Sequence, residues 1–194
     1  MRGLINKINL RKELSPIRDD LINDALKSCP QRSSSEMHKY NFSLYTQHTE
    51  YLYHLFIRES RRLLNNFTLR DEDFKVWCYL TDENYSQGDT WHNHIRTSTI
   101  NGVLYLQTVR GGGIEICTDY NVNDKFDIPD EEYNRENIKY IQPNNFDLLI
   151  FPNFIDHRPI IPKSKKKRIT FNMELRCKEP NYTIFNMVRS RGNP

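Results

Sequence analysis

The sequence predicts a mainly β protein, a double-sheet sandwich of jelly-roll type supported by two N-terminal helices. Helical periodicity is confined to the first third of the chain, and from about Phe74 onward short segments rich in aromatic and β-branched residues are separated by Gly, Asn, Asp and Pro. At 194 residues, with 37% hydrophobic content, the chain can bury one sizeable core but is short for two. The expected organisation is a single domain over 1–194: a helical support region at 1–70, a jelly-roll core at 74–177 and a C-terminal extension at 178–194.

The first helix is expected to start at Ser15, a good N-cap, with Pro16 at the first helical position and Asp19 and Asp20 at the positive end of the helix dipole. Ile17, Leu21, Ile22 and Leu26 give it an apolar side, and Cys29-Pro30 ends it. After a polar linker at 31–36, a longer helix is expected over about 47–64, with Leu52, Leu55, Phe56 and Leu63 on one stripe. Strands are expected at 75–81, 90–94, 97–108, 113–118, 139–142, 146–151, 155–161, 168–177 and 182–187. The clearest pattern is at 168–175, where Ile169, Phe171, Met173 and Leu175 alternate with Arg168, Thr170, Asn172 and Glu174. If the apolar face packs under the helices, the polar face looks into the space between the sheets. Arg168 is costly there unless an anion neutralises it.

Composition excludes several classes. No run approaches the roughly 18–20 apolar residues that span a bilayer, and the start, Met1-Arg2-Gly3-Leu4-Ile5-Asn6-Lys7, has neither an apolar core nor a small-residue cleavage signal. A soluble cytoplasmic protein with no membrane partner is expected. The four cysteines, Cys29, Cys78, Cys117 and Cys177, include no Cys-x-x-Cys pair, so reduced thiols are expected in place of a zinc knuckle or a disulfide framework. The net charge of +3 is concentrated at 163–168 and 189–191, too little to specify a nucleic-acid partner; the 163–167 run fits a solvated hairpin tip. Gly111, Gly112 and Gly113 precede no Lys-Ser/Thr and open no helix, so they fit a turn between strands better than a phosphate cradle.

Trp91-His92-Asn93-His94 carries the chemistry. Residues two apart on an extended segment share a face, so His92 and His94 can converge while Asn93 points away. Imidazole is a frequent metal ligand, and His157, which lies 63 residues beyond His94 and just after the apolar run Leu148-Leu149-Ile150-Phe151, would complete a site if its strand lies alongside. Arg168 follows eleven residues later, as an anion clamp. The remaining histidines, His38, His48 and His54, are expected to be ordinary packed or surface residues.

Several further pieces fall in order around these residues. Asn84-Tyr85-Ser86-Gln87-Gly88-Asp89-Thr90-Trp91 leads to His92; a strand ending in Tyr105-Leu106 follows; Gly111-Gly112-Gly113 turns into Ile114-Glu115-Ile116. Pro143 opens a turn into Asp147-Leu148-Leu149-Ile150-Phe151, and His157 and Arg168-Ile169-Thr170 close the set. In order and spacing this arrangement, over about 79–174, resembles the 2-oxoglutarate and Fe(II)-dependent oxygenases, in particular the prolyl-hydroxylase-like branch and its phage relatives. The resemblance implies a double-stranded β-helix (jelly-roll) core holding Fe(II), with 2-oxoglutarate and dioxygen as co-substrates, ascorbate as an accessory reductant, and a peptidyl or small-molecule C–H as the hydroxylated position. It implies His92 and His157 as metal ligands, Arg168 on the distal carboxylate of 2-oxoglutarate, Thr170 assisting it, and Tyr105 lining the same pocket or packing in the core. The family usually has His-x-Asp or His-x-Glu where this chain has His92-Asn93-His94, so the second ligand is either His94 or a carboxylate from elsewhere; the i+2 placement favours His94. Asn144-Asn145 stands where many relatives carry a turn glycine, and asparagine tolerates such backbone angles.

Two rival readings remain. A cupin-type dioxygenase using three histidines without 2-oxoglutarate would suit His-x-His, but Ile95 to Ser98 lack the expected glutamate and Arg168 is left without a role. A catalytically silent jelly-roll module would bind nucleic acid or an acidic partner through the 163–168 run. The substrate is set by variable loops, for which 121–135 and 31–45 are the candidates.

Overall fold

The computed structural model describes residues 5–28, 46–63, 69–84, 90–118, 126–128 and 137–177. The elements run β1 (Asn6–Asn9), α1 (Arg11–Leu14), a 3-10 turn (Ser15–Ile17), α2 (Arg18–Ser28), α3 (Gln47–Leu63), β2 (Leu69–Thr81), β3 (Trp91–His92), β4 (Ile100–Gln107) and β5 (Ile114–Cys117), then β6 (Phe126–Ile128), β7 (Ile138–Ile141), β8 (Asp147–Pro152), β9 (His157–Pro159) and β10 (Arg168–Cys177). One five-stranded sheet has the order β1-β8-β4-β10-β2 and the other β6-β3-β9-β5-β7. Every described pairing is antiparallel. This is the expected jelly-roll core with supporting helices.

Strand alternation sets the layers. On β10, Ile169, Phe171, Met173 and Leu175 join Leu104, Leu106, Leu148 and Ile150 in a core that also contains Leu14, Leu21, Leu52 and Phe56 from the helices. The opposite face of the same sheet contributes Tyr105, Leu149 and Phe151 to a second core with Ile114 and Ile116 of the facing sheet. The run 148–151 is therefore apolar at every position because both of its faces are covered. Arg168, Thr170 and Glu174 are buried as well, on the face opposite the helices.

Helix α3 crosses the first sheet at Gly102. A Cβ added there would fall within the Phe56 ring, so only glycine lets the helix sit this close to β4. Gly102→Ala is expected to cost about 1–3 kcal/mol, seen as a lower urea midpoint at unchanged slope.

Several details differ from expectation. Helical backbone begins at Arg11, four residues before Ser15, and Ser15 is not an N-cap. Pro16 has no N–H to donate, so the ladder is interrupted at a 3-10 turn and resumes as α2. Leu26 is 47% exposed, and the fully buried Ala25, one turn after Leu21, takes the inward position. The candidate strand at 90–94 is only Trp91–His92, and that at 155–161 only His157–Pro159. Strand β1 was not expected, being a four-residue edge strand with Ile8 as its one apolar residue, and β6 lies within the segment assigned to a substrate loop. The left-handed residue of the 143–147 turn is Phe146, with φ 71°, and neither asparagine carries a positive φ. Asp147 offsets that strain by accepting the Asn144 amide at 2.8 Å and the Asn9 side chain at 2.7 Å, while Phe146 N–H donates to the Tyr105 carbonyl at 2.7 Å.

Other expectations agree. Cys78 and Cys117 are buried and in no disulfide, and Gly111 supplies the positive φ of a turn between β4 and β5. Lys163, Lys165, Lys166 and Lys167 are exposed. Among the described residues no helix is long and apolar enough to cross a membrane. Residues 29–45 and 182–187, and the side chains of Leu63 and Cys177, lie outside the described residues.

Candidate metal centre

The second sheet brings the distant histidines together. His92 on β3 lies directly opposite His157 on β9, and their ring centroids are 4.4 Å apart. His94 lies beyond the strand, where its N–H donates to the Asn153 carbonyl at 2.8 Å and its carbonyl accepts the Thr97 and Ser98 amides in a tight turn. Its ring centroid is nevertheless 5.1 Å from each of the other two. Convergence of His94 thus comes from this turn, not from continued strand alternation. The three residues offer ligand atoms that lie within 4.8 Å of one another.

Each imidazole is held through Nδ1. His92 donates to the Thr90 carbonyl at 3.0 Å and His157 to the Ile155 carbonyl at 2.8 Å, and His94 Nδ1 lies 2.8 Å from Glu174 Oε1. Carbonyl and carboxylate oxygens only accept, so the proton sits on Nδ1 and Nε2 keeps its lone pair for the shared centre. Such outer partners fix both tautomer and ring orientation. Burial holds the His157 pKa well below its ordinary value, aided by His92 and His94, while the Ile155 carbonyl opposes the shift. A neutral imidazole is the form a metal requires.

Glu174 had no role in the sequence reading beyond its place on the polar face of the last strand. Burial alone would raise its pKa, but the hydrogen bond from His94 (with its charge when that imidazole is protonated), the Thr97 hydroxyl at 3.0 Å and Lys75 together bring it below the ordinary value. It is therefore an anion at neutral pH. Its partner is 80 positions upstream, and no local pattern signals the pairing.

Arg168 reaches several neutral acceptors. Its Nε donates to Thr81 Oγ1 at 2.9 Å, and Nη1 reaches the carbonyls of Gly112 at 3.0 Å, Gly113 at 3.3 Å and Ile160 at 2.9 Å. The glycine turn is thus a carbonyl cradle for the guanidinium, and a Cβ on Gly113 would strike the Ile141 carbonyl. Thr170 pairs with Tyr105 across β10 and β4, and both are buried. Burial raises the Tyr105 pKa, against the opposing charge of Arg168, so the phenol stays protonated. One of the carbonyls that Arg168 reaches, that of Ile160, lies three residues beyond His157 and just past the end of β9, about 10 Å along the backbone at strand rise.

His48 pairs with Asp24 at 3.1 Å, and His54 is exposed beside Glu50, as expected of histidines outside the site.

A family model described as "Putative 2OG-Fe(II) oxygenase" matches residues 75–174, just over half of the chain. The chain belongs to the 2OG-Fe(II) oxygenases. The family implies Fe(II), 2-oxoglutarate and dioxygen, and the three-histidine cluster fits such a metal. No curated protein matches this oxygenase in sequence. Among solved structures, the carbocyclase SnoK from nogalamycin biosynthesis, described as non-heme and alpha ketoglutarate dependent, is similar with a TM-score of 0.67 and 11% identity over 99% of this chain and 87% of that one. A Pseudomonas putida prolyl-4-hydroxylase is similar with a TM-score of 0.61 and 11% identity over 92% of this chain and 95% of that one. At such identities these structures establish the shared fold.

Proposed function

We propose that this 2OG-Fe(II) oxygenase couples oxidative decarboxylation of 2-oxoglutarate to hydroxylation of a substrate C–H bond, with His92, His94 and His157 holding Fe(II) through Nε2. The observation that carries the reading is the common anchoring of three imidazoles through Nδ1, which leaves three neutral donors facing one centre. Fe(II) bound there supplies the redox chemistry that consumes dioxygen. The balance is one substrate, one 2-oxoglutarate and one dioxygen giving one alcohol, one succinate and one carbon dioxide.

The chain's own groups bind, orient and exclude water. Arg168, already fixed by Thr81 and the glycine turn, meets the distal carboxylate of 2-oxoglutarate, with the Thr170 hydroxyl and the Tyr105 phenol as neighbouring donors. Because Ile160, whose carbonyl holds Arg168, is only three residues from His157, a short diacid can reach from the arginine toward the histidine centre. Tyr105, Leu149, Phe151, Ile114 and Ile116 close the space between the sheets and keep the anion contact in a low dielectric.

Protein loaded with Fe(II) without oxygen, then given air and labelled 2-oxoglutarate, should release succinate and carbon dioxide in equal amounts. A panel of peptides, nucleic acids and metabolites should include one that accelerates this release. Oxygen uptake independent of 2-oxoglutarate would replace this reading with three-histidine dioxygenase chemistry.

A further inference from the structure

The three imidazoles do not have equivalent partners. His92 and His157 donate to neutral backbone carbonyls, whereas His94 donates to the carboxylate of Glu174, whose side chain is 7% exposed. His94 is also the residue standing where the family usually places a carboxylate ligand. Three neutral imidazoles leave a divalent metal with its full charge, and here the buried carboxylate of Glu174 lies one hydrogen bond beyond His94.

Building on the three-histidine reading, we propose that Glu174 is a positioning residue that orients His94 and supplies, through its imidazole, the negative charge that the second ligand itself lacks. Glu174 is suited to this because it is held independently. It sits on β10, in register with Asn101 of β4 and Lys75 of β2, and accepts the Thr97 hydroxyl at 3.0 Å. The backbone of His94 is held by the Asn153 carbonyl and the following turn, and the contact with Glu174 fixes its ring against the first sheet. A strongly polarised Nδ1–H makes Nε2 a better donor, as in carboxylate–histidine–metal triads. Arg168 and Glu174 stand on the same face of one strand, so a single rigid element sets both the anion clamp and the orientation of one metal ligand.

The test is a charge-relocation cycle read by metal affinity and spectroscopy. Co(II) is titrated without oxygen into the parent, Glu174→Gln, and the double variant His94→Asp/Glu174→Gln, and the ligand-field absorption bands are recorded. Glu174→Gln keeps size and an acceptor oxygen but removes the charge; it should weaken Co(II) binding about 10–100-fold and shift the bands while the metal-free melting temperature is retained. The double variant, with the carboxylate moved into the ligand position, should recover most of the affinity. Thr97→Val, at an exposed position, should give a smaller loss in the same direction. Parent-like affinity and bands in both Glu174→Gln and Thr97→Val would overturn the role of Glu174 alone. A parent that binds no metal would overturn the three-histidine reading, and this inference with it.

Discussion

Replacing His157 with alanine should abolish metal binding and 2-oxoglutarate turnover together. His157 sits opposite His92 in the β3–β9 register and is buried, so water cannot readily substitute for the missing nitrogen in the same geometry. Loss of an outer partner typically costs 10–100-fold, so loss of a ligand should cost more, roughly 100-fold or beyond in affinity. Far-ultraviolet circular dichroism should show the β content retained, because the main core lies on the other side of the first sheet. Activity equal to the parent in His157→Ala would sink the assignment of the site.

Arg168→Lys should leave the metal affinity of the protein unchanged and raise KM for 2-oxoglutarate far more than it lowers kcat. Lysine keeps the charge, yet it cannot fill the fork that serves Thr81, Gly112, Gly113 and Ile160 simultaneously. Disrupting a buried, hydrogen-bonded charge pair costs about 2–5 kcal/mol, which corresponds to roughly 30- to 5,000-fold in binding, and lysine should fall near the lower end. The KM and kcat changes separate co-substrate binding from chemistry. A parent-like KM would show that the distal carboxylate is held elsewhere.

Much of this site is legible because it rests on regular periodicity. Alternation at 168–175 places Arg168 and Thr170 on the face away from the helices, and the structure retains that division residue by residue. His92 and His157 are separated by 65 positions and meet only through strand pairing, so their relationship is legible from the order and spacing of the motifs along the chain and not from local periodicity. His94 shows the limit of local reasoning: alternation predicts its approach, but the strand ends first and a turn completes the placement. The cross-sheet contact of Glu174 and the left-handed Phe146 were not legible at all. The first depends on distant chain segments, and the second has a residue type that argues against its own backbone angle. The 3-10 break at Pro16 had a visible cause, yet proline also suits a helix start and the same residue supported both outcomes.

The direct opposition of His92 and His157 has a consequence for how the chain holds itself together. The strands carrying them have two and three residues, Cys78 and Cys117 are in no disulfide, and the segment between the two histidines makes up a third of the chain. A metal ion held by both would act as a removable cross-link that closes this long loop. For loops of that length a permanent cross-link removes about 4 kcal/mol of unfolded-state entropy in the chain-entropy description. Bound this way, the ion would tie the endurance of the oxygenase's native state to its supply of metal, a clasp that opens whenever the ion leaves.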